Sequence, residues 1–140
     1  MIENYKIIGS FIKDMSSETP DAPTYIFVRD KISKYRLNID INSKAVKNGI
    51  IEVNTMLKFS DQPEVLKKAH FEITYTSIVR VDEKVSDKKE MEKIILCDVP
   101  NKIYPDLERI FLNLLTDSGY PGIKFEKKID FTELYKQRAN

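Results

Sequence analysis

Along most of the first 81 positions hydrophobic and polar residues alternate, and a two-residue period predicts β-strands. Residues 5–13 set Tyr5, Ile7, Gly9 and Phe11 against Lys6, Ile8, Ser10 and Ile12. Both sides carry apolar residues, so this first strand is expected to be covered twice. Residues 14–25 hold Asp14, Ser16, Ser17, Pro20, Asp21 and Pro23, which break the period and predict an extended loop. A second strand is expected over 34–41, with Tyr35, Leu37, Ile39 and Ile41 on one face. Asn48-Gly49 marks a hairpin turn, because both residues tolerate positive φ. The third strand, 50–59, aligns Ile51, Val53, Thr55, Leu57 and Phe59, and Ser60-Asp61-Gln62-Pro63 stops it. The fourth, 69–81, sets Phe71, Ile73, Tyr75, Ser77, Val79 and Val81 against His70, Glu72, Thr74, Thr76, Ile78 and Arg80. Short links between these strands predict an antiparallel sheet.

The period then changes. Residues 82–93 are nearly all charged, with mixed signs, and predict a solvated excursion passing into a short helix that ends near Leu96. Leu107, Ile110, Phe111, Leu114 and Leu115 recur at the spacing of one helix face. Pro105 suits the first turn of that helix, and Gly119 suits its end. Asp130 and Glu133 form a capping pair ahead of a shorter helix with Phe131, Leu134 and Tyr135 on one stripe. Strands followed by helices make an α+β domain: a four-stranded antiparallel sheet, a long helix and a shorter C-terminal one, spanning residues 1–140.

Two helices can cover only one face of such a sheet. Apolar residues on the other faces of strands one and four, such as Ile8, Ile12 and Ile78, then need a partner surface. Self-association or binding of other polypeptides is the expectation. Composition agrees by exclusion. The chain carries 23 Lys+Arg against 22 Asp+Glu, a net charge of +1, so no basic nucleic-acid footprint is present. One Cys and one His build neither an internal disulfide nor a multi-ligand zinc site, and the lone thiol fits a reducing, cytoplasmic compartment. With Gly only at positions 9, 49, 119 and 122, no glycine-rich phosphate loop can be written. No signal peptide is legible at the N-terminus, and no apolar run approaches the ~20 residues of a membrane span. No cofactor is expected.

Candidate catalytic residues are few. His70 lies on the polar side of strand four without an evident nucleophile and reads as a surface or interface histidine. Cys97 follows Ile94-Ile95-Leu96 and reads as a buried, inert thiol. Carboxylates are plentiful but form no distinctive pair. By spacing alone, Asp14 and Glu18 belong to a proline-bearing loop, where such residues stabilise turns.

Three segments carry a resemblance. Phe11-Ile12-Lys13-Asp14-Met15-Ser16-Ser17-Glu18-Thr19-Pro20-Asp21-Ala22-Pro23 is similar to the aromatic-x-Lys-Asp-hydrophobic-Ser-x-Glu-x-Pro-x-Ala-Pro signature of the SecB family of protein-export chaperones. Pro100-Asn101-Lys102-Ile103-Tyr104-Pro105 resembles that family's approach to its long helix. Gly119-Tyr120-Pro121, followed by Ile129-Asp130-Phe131-Thr132-Glu133-Leu134-Tyr135, resembles its closing elements.

The resemblance implies an ATP-independent holdase, not an enzyme, built as a homotetramer, a dimer of dimers. Such a holdase keeps unfolded polypeptides and preproteins in long apolar grooves and hands them to the SecA motor. Asp14, Glu18 and Glu72 match acidic positions used to meet SecA; Phe71, Ile73 and Tyr75 match positions involved in assembly. Tyr35, Leu37 and Ile39, with Leu114 from the long helix, are the expected groove lining. The family is usually strongly acidic and often ends in a flexible tail, whereas this chain is near neutral and closes on Lys136-Gln137-Arg138-Ala139-Asn140. Two alternatives stay open: a SecB-like chaperone dedicated to one client, such as an antitoxin, or otherwise export-independent; and a small-ligand-binding α+β domain.

Overall fold

Four strands and a set of helices make up the computed structural model, which describes residues 4–61, 68–125 and 129–139. The strands are β1 (Tyr5–Glu18), β2 (Arg36–Lys47), β3 (Ile50–Ser60) and β4 (His70–Val81). They form one antiparallel sheet in the order β1-β4-β3-β2, so β1 and β2 are its edges. The α+β expectation holds. Gln62 and Pro63, part of the predicted strand stop, lie outside the described residues.

β1 departs most from its pattern. It runs on through Asp14–Glu18, which pair with Thr74–His70, and these residues are strand rather than loop. The reason is two irregularities in register, between Ile7 and Gly9 and between Ile12 and Asp14. Each bulge adds one residue and resets the alternation. Cross-strand partners share a face. Ile7, Ser10, Ile12 and Met15, opposite Val79, Ser77, Tyr75 and Ile73, therefore share the helix-covered side. Phe11, opposite Thr76, is on the open side. The simple two-residue count had put Ile12 and Phe11 the other way round.

After a short link, helix α1 (Ala22–Lys31) takes up the end of the expected loop and runs past it. Asp21 caps it, its Oδ1 accepting the Thr24 N–H at 2.8 Å, and Pro23 sits in the first turn. Only Thr24 and Val28 are buried along it, so its sequence shows no apolar stripe. A short 3₁₀ turn, Ile32–Lys34, leads into β2. At the β2–β3 hairpin, Gly49 takes φ 75° while no other residue type adopts positive φ among the described residues, so Asn48 does not.

The charged segment passes into α2 (Lys88–Lys93), then a π turn (Ile94–Asp98), then α3 (Val99–Asp117). The helix does not stop near Leu96, and α3 starts at Val99 rather than at Pro105. Pro100 takes the first turn, and Pro105 lies inside the helix. Pro105 forfeits the bond to the Asn101 carbonyl, but both residues are exposed, so water can solvate that group. Ile103, Leu107, Phe111 and Leu115 form the buried stripe of α3 against Phe71, Ile73, Leu57 and Phe59. A second cluster, Tyr5, Val53, Val79, Val81, Val85, Ile94 and Val99, fills the other end of the sheet.

Gly119 ends α3 with φ 105°. It is constrained twice: a Cβ there would stand 2.8 Å from the Tyr25 ring, whose hydroxyl donates to the Gly119 carbonyl at 2.8 Å. The closing helix α4 (Phe131–Ala139) begins where the capping pair predicts, with Asp130 Oδ1 accepting from the Thr132 and Glu133 N–H groups at 3.0 and 3.2 Å.

Candidate functional site

At the Tyr35 end of β2 the sheet is faced by the link after α3 rather than by a helix. A groove of about 780 Å³ runs between them. Ile32, Tyr35, Leu37, Ile39 and Phe59 form one wall; Pro121, Ile123, Phe125 and Ile129 form the other. A second depression of about 280 Å³ begins at Ile39 and continues past Ile41 to Leu96, Leu134 and Tyr135. Because Ile39 borders both, the two follow one strand edge. The lining is aliphatic and aromatic with few fixed polar groups, which suits apolar side chains of varied shape.

The groove floor is anchored by aromatics. Phe59 packs against Tyr35 at 5.4 Å and edge-on to Phe125 at 5.7 Å between ring centroids. The Tyr35 hydroxyl accepts the Ala69 N–H at 3.0 Å and donates to the Ala69 carbonyl at 3.3 Å. Burial raises the Tyr35 phenol above its ordinary pKa, so it stays a neutral donor and acceptor. These contacts hold one wall rigid.

Of the expected groove residues, Tyr35, Leu37 and Ile39 stand on this wall. Leu114 does not: it is half-buried on α3, packed against the main core, and lines neither depression. The long helix lies over the middle of the sheet, and the far wall comes instead from the link and α4. Ile123, Phe125, Ile129 and Leu134 were missed. The apolar alternation of Ile123 and Phe125 and the α4 stripe through Leu134 were the signals they gave.

Phe71 and Ile73 are 0% exposed, and Tyr75 is buried with them beneath α3. The resemblance implied a role in assembly; here their side chains fill the protomer's own core, and Phe71 and Ile73 keep no surface for a second chain. The exposed apolar row is on β1: Ile8 50%, Phe11 47%, Ile12 43% and Met15 43%. The expected need of Ile8 and Ile12 for a partner surface thus finds exposed residues, while Ile78 is half-buried.

The remaining sheet face is polar. Asp14, Glu18 and Glu72 lie on it together, since Asp14 pairs with Thr74 and Glu18 with His70, both in the row of Glu72. Glu72 is engaged: His70 Nε2 is 3.1 Å from one oxygen and Lys58 Nζ 3.8 Å from the other. A hydrogen-bonded chain crosses all four strands on this face. Lys13 donates to Glu52 at 2.9 Å, Asn54 donates to Glu52 and Asn42 at 2.9 Å each, and Thr76 donates to Asn54 at 2.6 Å. The Asn54 and Lys13 bonds hold the Glu52 carboxyl below its ordinary pKa. Cys97 is buried, 3.3 Å from the Thr132 hydroxyl.

Among the described residues no group of three or more His, Cys, Asp or Glu could hold a metal ion, and no helix is long and apolar enough to cross a membrane. An apolar groove beside a free sheet edge is a surface for extended polypeptide.

The family model described as "Preprotein translocase subunit SecB" matches residues 2–140. The chain is 94% identical over 140 residues to the putative protein-export protein SecB of Pelagibacter ubique, covering 100% of both chains. It is 27% identical to the protein-export protein SecB of Methylocella silvestris, covering 93% of this chain and 79% of that one. In three dimensions it is similar to the SecB-like chaperone of Mycobacterium tuberculosis solved with a ChAD peptide from the HigA1 antitoxin. The TM-score is 0.68 at 12% identity, over 90% of this chain and 88% of that one.

The chain belongs to the SecB family. It is a non-catalytic chaperone for unfolded preproteins bound for export, acting in the cytoplasm.

Proposed function

We propose that client segments lie extended along the β2 edge, with apolar side chains seated against Tyr35, Leu37 and Ile39 on one side and Ile123, Phe125 and Leu134 on the other. The continuity of the two depressions through Ile39 supports this most directly. Affinity comes from apolar burial, about 25 cal/mol per Å², reduced by the cost of ordering the client. No nucleotide takes part. The working form is a homotetramer, a dimer of dimers, in which the exposed β1 row of Ile8, Phe11, Ile12 and Met15 is covered by a second copy. Asp14, Glu18 and Glu72, on the open face, are the carboxylates that would meet SecA during delivery.

Light scattering on the chain alone and with a permanently unfolded polypeptide, without nucleotide, tests this reading. A species of about four chains of 16.3 kDa that binds the polypeptide is expected. A single-chain species that ignores the polypeptide would overturn it.

A second reading keeps the fold and changes the task. Near-neutral charge weakens long-range attraction to a basic partner, and the M. tuberculosis protein of similar fold was solved with an antitoxin peptide. A chaperone dedicated to one client follows if purified SecA fails to bind and Glu72→Lys has no effect on export. SecA binding that Glu72→Lys weakens favours the export reading.

A further inference from the structure

The far wall of the groove at its Tyr35 end, Pro121, Ile123 and Phe125, is a link without regular structure, so its distance from β2 must be set from outside it. At one end Phe125 is held by Phe59 and Phe111, at 5.7 and 6.2 Å between ring centroids. At its root, Ser118, Gly119 and Tyr120 each meet a hydroxyl brought from the end of β1 or from α1. Ser118 Oγ donates to the Leu114 carbonyl at 2.6 Å, which commits its one proton. Ser17 Oγ, also 2.6 Å from Ser118 Oγ, is therefore the donor in that pair. The Tyr25 hydroxyl donates to the Gly119 carbonyl at 2.8 Å, and the Thr19 and Tyr120 hydroxyls share a bond at 3.0 Å. Register agrees: Ser17 stands opposite Phe71, which is buried beneath α3, so it faces the helix-covered side. Apolar packing alone would keep Tyr120 in place, edge-on to Phe71 at 5.4 Å and 2% exposed. What the hydroxyls add is direction, since a hydrogen bond fixes the angle at which the chain leaves α3.

We propose that Ser17, Thr19 and Tyr25 are positioning residues for client retention. They clamp the root of the link and so hold the far wall at the width where a client side chain touches both walls. This rests on the β2-edge groove being the client site. Four residues, Pro121–Lys124, span the gap between the clamp and the Phe125 anchor. Freed at the root, that span pivots about Phe125, the groove widens, and a seated side chain loses one wall. Escape becomes faster, while entry, which needs only an open mouth, changes little. The coupling is reciprocal, so a client wedged between the walls also holds the clamp closed.

The test follows release of a fluorescent unfolded peptide from the full chain after a chase with unlabelled peptide, with amide hydrogen exchange in parallel. The variant Ser17→Ala, Thr19→Val, Tyr25→Phe removes three hydroxyls and little volume. Its dissociation rate should rise about tenfold at a nearly unchanged association rate. Ser17→Thr with Thr19→Ser keeps both hydroxyls and should release the peptide at the wild-type rate. The Gly119 and Tyr120 amides donate to the Thr116 and Leu115 carbonyls, and neither residue lines the groove. The peptide should nevertheless slow their exchange in the wild type and not in the triple variant. Wild-type release by the folded variant overturns the clamp and leaves the groove standing. So does exchange at Gly119 and Tyr120 that ignores the peptide, which would reduce the three bonds to a stabilising contact. Peptide binding that survives Leu37→Asp overturns the groove reading instead, and this inference with it. If circular dichroism shows the triple variant unfolded, Ser17→Ala alone, at an exposed position, makes the same comparison with the same direction expected.

Discussion

The two edges of the sheet are both apolar, and they solve different problems. β1 exposes Ile8, Phe11, Ile12 and Met15 on a strand that no helix covers along its middle. β2 instead shelters Leu37, Ile39 and Ile41 partly, under a link and α4 that leave a channel between. An exposed strand carrying large side chains suits a fixed, repeated partner, because identical copies can match it side chain for side chain. A channel of aliphatic and aromatic walls suits changing partners, because it sets depth and polarity without fixing shape. The bulges in β1 sharpen the contrast. They move Phe11 to the open side and Ile12 to the helix side, so the edge is apolar on both.

The largest expected effect breaks the β1 edge. Phe11→Asp together with Ile12→Asp puts two charges where a second copy would desolvate them, and the light-scattering mass should fall below that of a tetramer. Both residues are exposed within the protomer, so circular dichroism should be unchanged. A variant that keeps its mass would place assembly elsewhere. Next comes the β2 edge. Leu37→Asp should weaken binding of an unfolded polypeptide by at least about tenfold while the mass stays the same. If both variants change both readouts, the two edges are not separate devices.

Why some of this was legible in the sequence and some was not follows from local physics. β3 and β4, and β2 as far as Ala45, keep an unbroken two-residue period, so Leu57, Phe59, Phe71 and Ile73 could be assigned to one face from spacing alone. The stripe through Leu107, Phe111 and Leu115 was equally plain. β1 was misread wherever a bulge intervened, since an added residue has no compositional mark. α1 was invisible because it buries little more than Thr24 and Val28, and Pro105 misled because a proline on the solvent side of a helix looks like a helix start. Of the groove, the strand wall was legible through Tyr35, Leu37 and Ile39. The link wall was not, because Pro121–Phe125 has no regular structure to impose a period.

A smaller effect concerns the rigidity of the β2 wall. Tyr35→Phe removes the one hydroxyl that meets both backbone groups of the fully buried Ala69. Leaving them unpaired should cost about 1–3 kcal/mol, read as a lower urea midpoint at unchanged slope. An unchanged midpoint would mean that another group takes over at Ala69.

The smallest effect tests whether the polar chain on the open face ties the two edges together. Glu52 is its centre, reached from β1 by Lys13 and linked through Asn54 to Asn42 on β2. Its folded pKa lies below the ordinary 4.5, first because Asn54 donates to the carboxylate and then because Lys13 does. A depressed carboxyl contributes stability that is present above the unfolded value and lost as pH falls through the folded one. The contribution should therefore be intact at neutral pH and fade below about pH 4.5. Glu52→Gln removes the titration but keeps the shape, so its stability should change less than the wild type's between pH 5 and pH 3 in urea titrations. The half-exposed Lys13 side chain limits the size of the difference through solvent screening. Identical acid dependence in the two proteins would show that Glu52 adds nothing to the sheet, leaving the Thr76–Asn54 and Asn54–Asn42 bonds as the parts of the chain that join its strands.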